Sequence, residues 1–416
     1  MDARPATGLF RALRHRAFAL LWSGQTVSRV GDFVYQIAVA WWVLQKTGSP
    51  MATGAILIFA NVPMLLFLLI GGVAVDRYSR VRIMLASDLF RGLLVGVVAA
   101  LAFAGRLEVW HLYVASVTFG FVDAFFQPAF NALVPAITPA EDLTSANSLS
   151  SLSVQVGRIV GPALGGVLVG LVGSAGAFAV NAASFFVSMA FLLPLRSHPA
   201  AAPAPRPAAG AAKGPSVLAE AREGLDVILA SPVLWLCIVA FALANITLGG
   251  PYSIALPFLV KDVMKEGADT LGYLYAAFPV GYVVGGVWCA RQARIRHRGW
   301  WMFGGLLVAG LMLGLFGLPV PFVVLLLAAF VNGAALEIGN LIWVNLLQQL
   351  VPGDKLGRVS SFDMLGSYVL LPVGFALTGW ATGAFGPALV FVLLAGGATT
   401  LIAVLALCHP ALRRLD

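Results

Sequence analysis

Long, uninterrupted apolar runs fill this sequence of 416 residues, and they restrict the folds open to it. A helix needs about 20 apolar residues to cross a hydrocarbon core of about 30 Å. Only helices and closed barrels satisfy their backbone hydrogen bonds there, and a barrel would show alternating segments of about ten residues. Charged residues make up only 11%, and the mean hydropathy is +0.92, which leaves too little polar surface for a water-soluble globule. The sequence therefore predicts an all-α membrane protein.

The apolar runs predict twelve transmembrane helices in two six-helix bundles. We place them at 17–44, 51–75, 82–105, 109–133, 144–171, 174–195, 232–260, 269–290, 299–318, 320–350, 357–384 and 386–408. The predicted domains are an N-terminal bundle at 1–195, a cytoplasmic linker at 196–231 and a C-terminal bundle at 232–416. The linker starts with a Pro/Ala-rich stretch that cannot pack a core. Apolar residues at helical spacing from Ser216 to Leu229 then predict an amphipathic helix on the membrane surface.

The basic residues of the connecting segments predict the orientation of the chain. With the amino terminus inside, nineteen Lys and Arg residues fall in cytoplasmic segments and four in external ones. For a multi-pass protein of the bacterial cytoplasmic (inner) membrane, this asymmetry predicts that both termini lie in the cytoplasm. It also explains the net charge of +8 without nucleic-acid binding. The three cysteines lie in different apolar segments, without metal-ligand spacing, and are interpreted as packing residues.

Two pairs of connecting segments reveal an internal repeat. The segment at 72–80, after the second helix, matches the segment at 286–294, after the eighth, at an offset of 214. The segment at 139–143, before the fifth helix, matches 352–356, before the eleventh, at an offset of 213. Two matches at nearly one offset indicate duplicated halves in the same orientation.

These segments carry a family resemblance. Gly72, Asp76, Arg77 and Arg80 resemble the GxxxDRxGRR loop motif of the major facilitator superfamily, although Ser79 and Val81 depart from it. The run from Gly157 to Gly166 resembles the GxxxGPxxGG motif of antiporters. Further stretches resemble the bacterial drug-exporter branch, which includes macrolide efflux proteins and the enterobactin exporter; they are Gly31-Asp32, Trp110–Tyr113, Phe126–Ala129, Asn147–Leu149 and Gly357–Ser367. The resemblance implies a major facilitator fold and transport by alternating access.

The two motifs suggest conformational roles. As the resemblance implies, Asp76 accepts hydrogen bonds at the amino end of the eleventh helix, and Gly72 permits close approach of helices. The predicted conformational latch comprises Gly72, Asp76, Arg77 and Arg80, whose cations are alternatively only topology anchors. The predicted antiporter-type helix motif comprises Gly157, Gly161, Pro162, Gly165 and Gly166, which alternatively form only a small-residue packing seam.

Charged residues inside predicted spans mark candidate functional groups, because an unpaired ion there costs several kcal/mol. A carboxylate can take up a proton when its guanidinium partner moves away and release it when the partner returns. The proton-coupling candidates are Asp32, Asp123 and Glu337, and their candidate charge partners are Arg29 and Arg158. Each of these acids is alternatively a substrate contact or a purely structural partner. Asp88 and Arg91, three residues apart, are interpreted as an intrahelical bridge. The substrate-cavity candidates are Gln36, Phe126, Gln127, Asn340 and Trp343.

These features predict a proton-coupled antiporter that exports lipophilic or amphipathic small molecules of the multidrug or macrolide type. The sequence holds no phosphate-binding GxxxxGK[ST], zinc-ligand set or GxSxG. We therefore expect no enzymatic activity, no metal and no cofactor beyond the proton gradient, and the chain is expected to act as a monomer. The alternatives are an exporter dedicated to a siderophore or other secondary metabolite, a lysolipid flippase, or a membrane sensor or enzyme without transport activity.

Overall fold

A computed structural model describes residues 8–198, 217–292, 295–352, 355–413 and 415 of the protein. All regular secondary structure in these ranges is helical, as the apolar runs predict. The helices of the first half are α1 (Arg16–Thr47), α2 (Pro50–Arg77), α3 (Arg80–Phe103) and α4 (Val109–Ile137), followed by the stretch Leu143–Leu192. Gly173, with φ 73° and ψ 173°, divides that stretch into α5 (143–172) and α6 (174–192). Glycine adopts this backbone conformation without the steric cost that other residues incur.

The second half repeats the pattern of long helices. They are α7 (Pro232–Val263), α8 (Ala268–Ala290), α9 (Arg298–Gly317), α10 (Phe322–Leu350), α11 (Leu356–Phe385) and α12 (Pro387–Cys408). By length and hydropathy, ten segments of the described chain qualify as membrane spans, and the 58-residue segment Ala140–Ser197 counts once among them. Because that segment holds both α5 and α6, and α1 is a further 32-residue helix, the structure is consistent with twelve spans.

The described residues form two compact units. Unit 1 contains 8–45, 56–198 and 267–272, and unit 2 contains 46–55, 217–266 and the chain from 273 onward. Each unit has its own apolar core, which includes Phe18 and Met84 in unit 1 and Phe303 and Leu346 in unit 2.

An ion-pair cluster in unit 1, here called the N-terminal brace, fixes the chain that precedes α1. The short helix Arg11–Arg14 lies against the start of α5, where Asp142 accepts three basic groups. Its carboxylate lies 2.7 Å from Arg11 Nε, 2.9 Å from Arg14 Nη2 and 2.7 Å from His15 Nε2. Because the Asp142 side chain is fully enclosed, these partners supply the compensation that a buried charge requires.

Unit 2 contains a matching cluster, here called the linker brace. The amphipathic linker helix occupies Val217–Ala230, close to the range predicted from sequence. Glu223 on this helix pairs with Lys355 Nζ at 3.1 Å and with Arg358 Nη1, both at the start of α11. The hydrogen bond from Lys355 and the nearby Arg358 charge hold the pKa of Glu223 below its usual range. Each unit therefore ties the segment before its first helix to the start of its fifth.

Candidate functional site

A buried ion-pair cluster lies at the centre of unit 1. Asp88 and Arg91 share one face of α3 because they are three residues apart. Arg91 Nη2 donates to Asp88 Oδ1 at 2.7 Å, and Arg91 Nη1 donates to Asp123 Oδ1 on α4 at 3.1 Å. Asp88 is fully buried and Arg91 is 4% exposed, whereas the Asp123 side chain is 32% exposed. One guanidinium therefore joins an enclosed carboxylate to an accessible one.

Aromatic rings and hydroxyl groups complete the surroundings of Arg91. Its guanidinium carbon lies 4.3 Å from the ring centroid of Phe126 and 4.7 Å from that of Phe185. Ser188 Oγ on α6 donates to Asp88 Oδ2 at 2.7 Å, and Gln25 Nε2 on α1 donates to Ser188 Oγ at 2.9 Å. The cluster thus links α1, α3, α4 and α6 through polar contacts.

Asp32, on α1, belongs to the same electrostatic environment. Its charge interacts with those of Arg91, Asp88 and Asp123. Its Oδ1 atom is buried and has no hydrogen-bond partner among the described residues. A buried acceptor without a partner costs about 1–3 kcal/mol, so this oxygen is a destabilising feature of α1 in the structure.

The structure corrects the predicted partner of Asp123. Its cation is Arg91, which the sequence assigned only to the bridge with Asp88, because spacing along α3 cannot show which face α4 presents. Arg29 remains electrostatically coupled to Asp32, but its Nη1 donates to Ser150 O at 3.0 Å. Arg158 lies exposed on α5.

The predicted substrate residues of unit 1 fall in different places. Phe126 was predicted to line the substrate cavity; in the structure its side chain is 4% exposed and covers the guanidinium of Arg91, and its contact with substrate stays a prediction. The helix pattern did not reveal this because Arg91 lies on another helix. Gln36 and Gln127 are exposed on α1 and α4.

The glycines of the α5 motif allow close packing against α1. A Cβ atom at Gly161 would overlap the Cβ of Phe33, and one at Gly165 would lie 3.0 Å from the Cα of Val34. Gly157 faces the ring of Phe33 at 3.1 Å in the same way. Gly166 would instead overlap the carbonyl of Ala268, whose segment belongs to unit 1. The motif is therefore a packing seam, and its link to antiport stays a prediction.

In the loop motif that begins at Gly72, the close approach between helices occurs one residue before the predicted position. A Cβ at Gly72 would meet no atom within 4 Å, whereas one at Gly71 would overlap the carbonyl of Ala124 on α4. The close helix approach expected at Gly72 therefore occurs at Gly71. Arg77 is exposed, and the side chain of Asp76 lies outside the part of the chain that the structure describes. The latch itself stays a prediction.

Unit 2 contains a cavity of about 360 Å³ that is bounded by α7, α8, α9, α10 and α11. Its walls combine aliphatic residues with aromatic rings, amide side chains and one carboxylate. These lining residues include Phe241, Tyr252, Phe278, Tyr282 and Trp343, with Asn245, Asn332, Asn340 and Asp363. The cavity therefore has the size and mixed lining of a small-molecule site.

Two predicted cavity residues, Asn340 and Trp343, line this space. Glu337 lies behind Asn340, whose Nδ2 donates to Glu337 Oε2 at 3.2 Å and to Tyr282 Oη at 3.3 Å. Glu337 is 8% exposed and is connected to the cavity lining by its hydrogen bond with Asn340. Sequence reasoning missed Asp363, although a charge inside an apolar span is the signal that could have revealed it.

The fold, the enclosed charges and the unit 2 cavity together define a multi-pass membrane transporter, and comparison with known proteins specifies its family. The profile of a family described as transmembrane secretion effectors matches residues 7–336. The chain belongs to this family of major facilitator transporters. It is 27% identical over 391 residues to the enterobactin exporter EntS of Shigella boydii serotype 18, with 91% of each chain covered. It is equally similar, over the same coverage, to EntS of Escherichia coli O81.

Solved structures show the same fold at low sequence identity. The nucleoside transporter NupG has a TM-score of 0.73 and 13% identity, covering 96% of this chain and 100% of its own. An inward-facing bacterial homologue of the iron transporter ferroportin has a TM-score of 0.71 and 18% identity, covering 94% and 98%. These relatives are transporters rather than enzymes.

Proposed function

We propose that this transporter is a proton-coupled antiporter that exports lipophilic or amphipathic small molecules. The observation that supports this proposal best is that Asp88 and Asp123 share the single guanidinium of Arg91. With both acids ionised, this group holds one negative charge more than its arginine compensates, and an uncompensated ion in a span costs several kcal/mol. Binding of one proton removes that excess.

The unequal exposure of the two acids assigns them different roles. Asp88 is enclosed and receives hydrogen bonds from both Arg91 and Ser188, so it anchors the guanidinium. Asp123 is partly exposed and has the longer contact with Arg91, so it is the acid that exchanges protons. Protonation of Asp123 weakens the link between α3 and α4, and deprotonation restores it. Such a two-state contact can couple proton movement to a change of access.

Export as the direction of transport is supported by the similarity to EntS, which is named as an enterobactin exporter. The unit 2 cavity supports an amphipathic cargo, because its aromatic walls suit apolar groups and its amides suit polar ones. The same relative favours one alternative, an exporter dedicated to a siderophore or a comparable secondary metabolite. A location in the bacterial cytoplasmic membrane with both termini inside is supported by the distribution of basic residues.

The test uses purified full-length protein in proteoliposomes that enclose a pH-sensitive dye. Ethidium and a macrolide serve as the drug probes, and a tris-catecholate siderophore represents the alternative. We expect drug addition to drive proton movement, and we expect Asp123→Asn to reduce that movement at least tenfold. Glu141→Gln, which removes an exposed acid outside the cluster, is the matched control and should leave it unchanged. Drug movement without proton movement in the wild type would refute proton coupling. Unchanged proton movement in Asp123→Asn would refute the role of Asp123. Response to the siderophore alone would favour the alternative.

A further inference from the structure

The unit 2 cavity has a distinctive charge pattern. Of the described residues that line it, only Asp363 carries a charge, and no Lys, Arg or His is among them. Asp363 lies on α11 and is partly exposed. The ion pairs of the described chain do not include Asp363. Among the described residues, the cavity lining therefore holds one acidic side chain and no cation that pairs with it.

The hydrogen bonding of Asp363 leaves most of its acceptor capacity free. Trp343 Nε1 is its hydrogen-bond donor, at 3.2 Å from Oδ1 and 3.3 Å from Oδ2. One N–H group is thus shared by both oxygens, although an ionised carboxylate has about four acceptor positions. The indole fixes the carboxylate at the cavity wall and leaves it able to pair with a bound cation.

The aromatic lining of the cavity also favours a positively charged ligand. The rings of Phe241 and Trp343 lie 5.7 Å apart at 51°, next to the carboxylate. In the same lining, the rings of Tyr252 and Phe278 form a second pair at 5.7 Å, and the ring of Phe278 lies 6.2 Å from that of Tyr282. Aromatic faces carry negative electrostatic potential and attract cations, especially where water is excluded. An anionic ligand would meet both the carboxylate and these ring faces.

We propose that the unit 2 cavity is a binding site for an amphipathic organic cation, with Asp363 as its counter-ion and the aromatic rings as its apolar walls. This assignment rests on the proposed export of small molecules and specifies the charge of the cargo. It separates this chain from a transporter of an anionic catecholate, which would require a basic residue at the same place. A volume of about 360 Å³ accommodates a single drug-sized molecule.

The experiment compares two probes of nearly equal shape and opposite charge, tetraphenylphosphonium and tetraphenylborate. Binding to purified full-length protein in a neutral detergent is measured by calorimetry, and empty micelles are subtracted. We expect the wild type to bind the phosphonium at least tenfold more tightly than the borate. Asp363→Asn keeps an oxygen acceptor for Trp343 but removes the charge, so phosphonium binding should weaken at least tenfold while borate binding does not. Asp226→Asn, on the exposed face of the linker helix, is the matched control and should bind like the wild type.

Equal binding of the two probes by the wild type, or unchanged phosphonium binding by Asp363→Asn, would overturn the proposal. The wild-type comparison needs no variant, so the test stands even where Asp363→Asn fails to fold. Charge-selective binding without drug-driven proton movement would support this site and contradict the antiporter. Proton-coupled drug export without charge-selective binding would support the antiporter and contradict the cation site.

Discussion

Replacement of Arg91 tests the cluster at the centre of unit 1. Arg91→Met removes two charge-assisted hydrogen bonds and two ring contacts, and it leaves Asp88 buried without a counter-ion. Breaking a buried ion pair in this way costs about 3–5 kcal/mol. Arg91→Lys retains the charge, but an ammonium group cannot reproduce the planar fork that joins two acids. Loss of one of the two charged hydrogen bonds should cost about 1.5–3 kcal/mol.

Thermal unfolding of the purified variants in detergent measures these costs. At about 1 °C per kcal/mol for a chain of 416 residues, Arg91→Met should lower the unfolding temperature by about 4 °C, and Arg91→Lys by about half as much. Adding Asp88→Asn to Arg91→Met should recover part of the loss, because it removes the uncompensated charge. Arg106→Met, in the exposed connection between α3 and α4, is the control and should change little. A fall below 2 °C for Arg91→Met, or no recovery in the double variant, would refute the assignment of Arg91 as the charge that supports Asp88.

Three further predictions concern other parts of the chain. Gly161→Ala should destabilise the protein by about 1–3 kcal/mol, because its Cβ overlaps Phe33, whereas Gly170→Ala meets open space and should be neutral in the same thermal assay. In inside-out vesicles, a membrane-impermeant maleimide should label exposed Cys408 but not buried Cys237; labelling of Cys408 only in right-side-out vesicles would contradict the orientation. The lowered pKa of Glu223 stabilises the fold above its ordinary value of 4.5, so the thermal-stability advantage of wild type over Glu223→Gln should shrink as pH falls through that range, and a constant difference would disprove the ion pair.

The helices were predictable because their signals are local. Apolar run length located the helices to within a few residues, and the predicted gap between 171 and 174 coincides with the turn at Gly173. The linker helix followed from apolar spacing alone. Such patterns depend on whether a segment prefers lipid or water and on which backbone conformations its residues allow. Both properties are set by the residues of the segment itself.

The candidate sites were only partly predictable because they depend on how helices are rotated about their axes. The sequence identified Asp123 and Arg91 as charged residues in spans but could not show that they meet. Phe126 was expected at a cavity and instead covers the guanidinium of Arg91. Trp343 was predicted for the substrate cavity and lines the unit 2 cavity, whereas Asp363, its hydrogen-bond partner, was not among the predicted residues. A contact between two helices adds information that neither helix carries separately.

The two braces have opposite polarity, and this has a consequence for how the duplicated halves assemble. The repeat offset of 213 aligns Asp142 with Lys355. The first half therefore has an acid at this position that pairs with cations, and the second half has a cation there that pairs with an acid. Glu223 would be repelled by Asp142, and the arginines before α1 would be repelled by Lys355. The charges of each segment that precedes a first helix therefore match the start of the fifth helix in the same half and not that in the other half. This reversal of charge disfavours an exchange of these segments between the two similar halves.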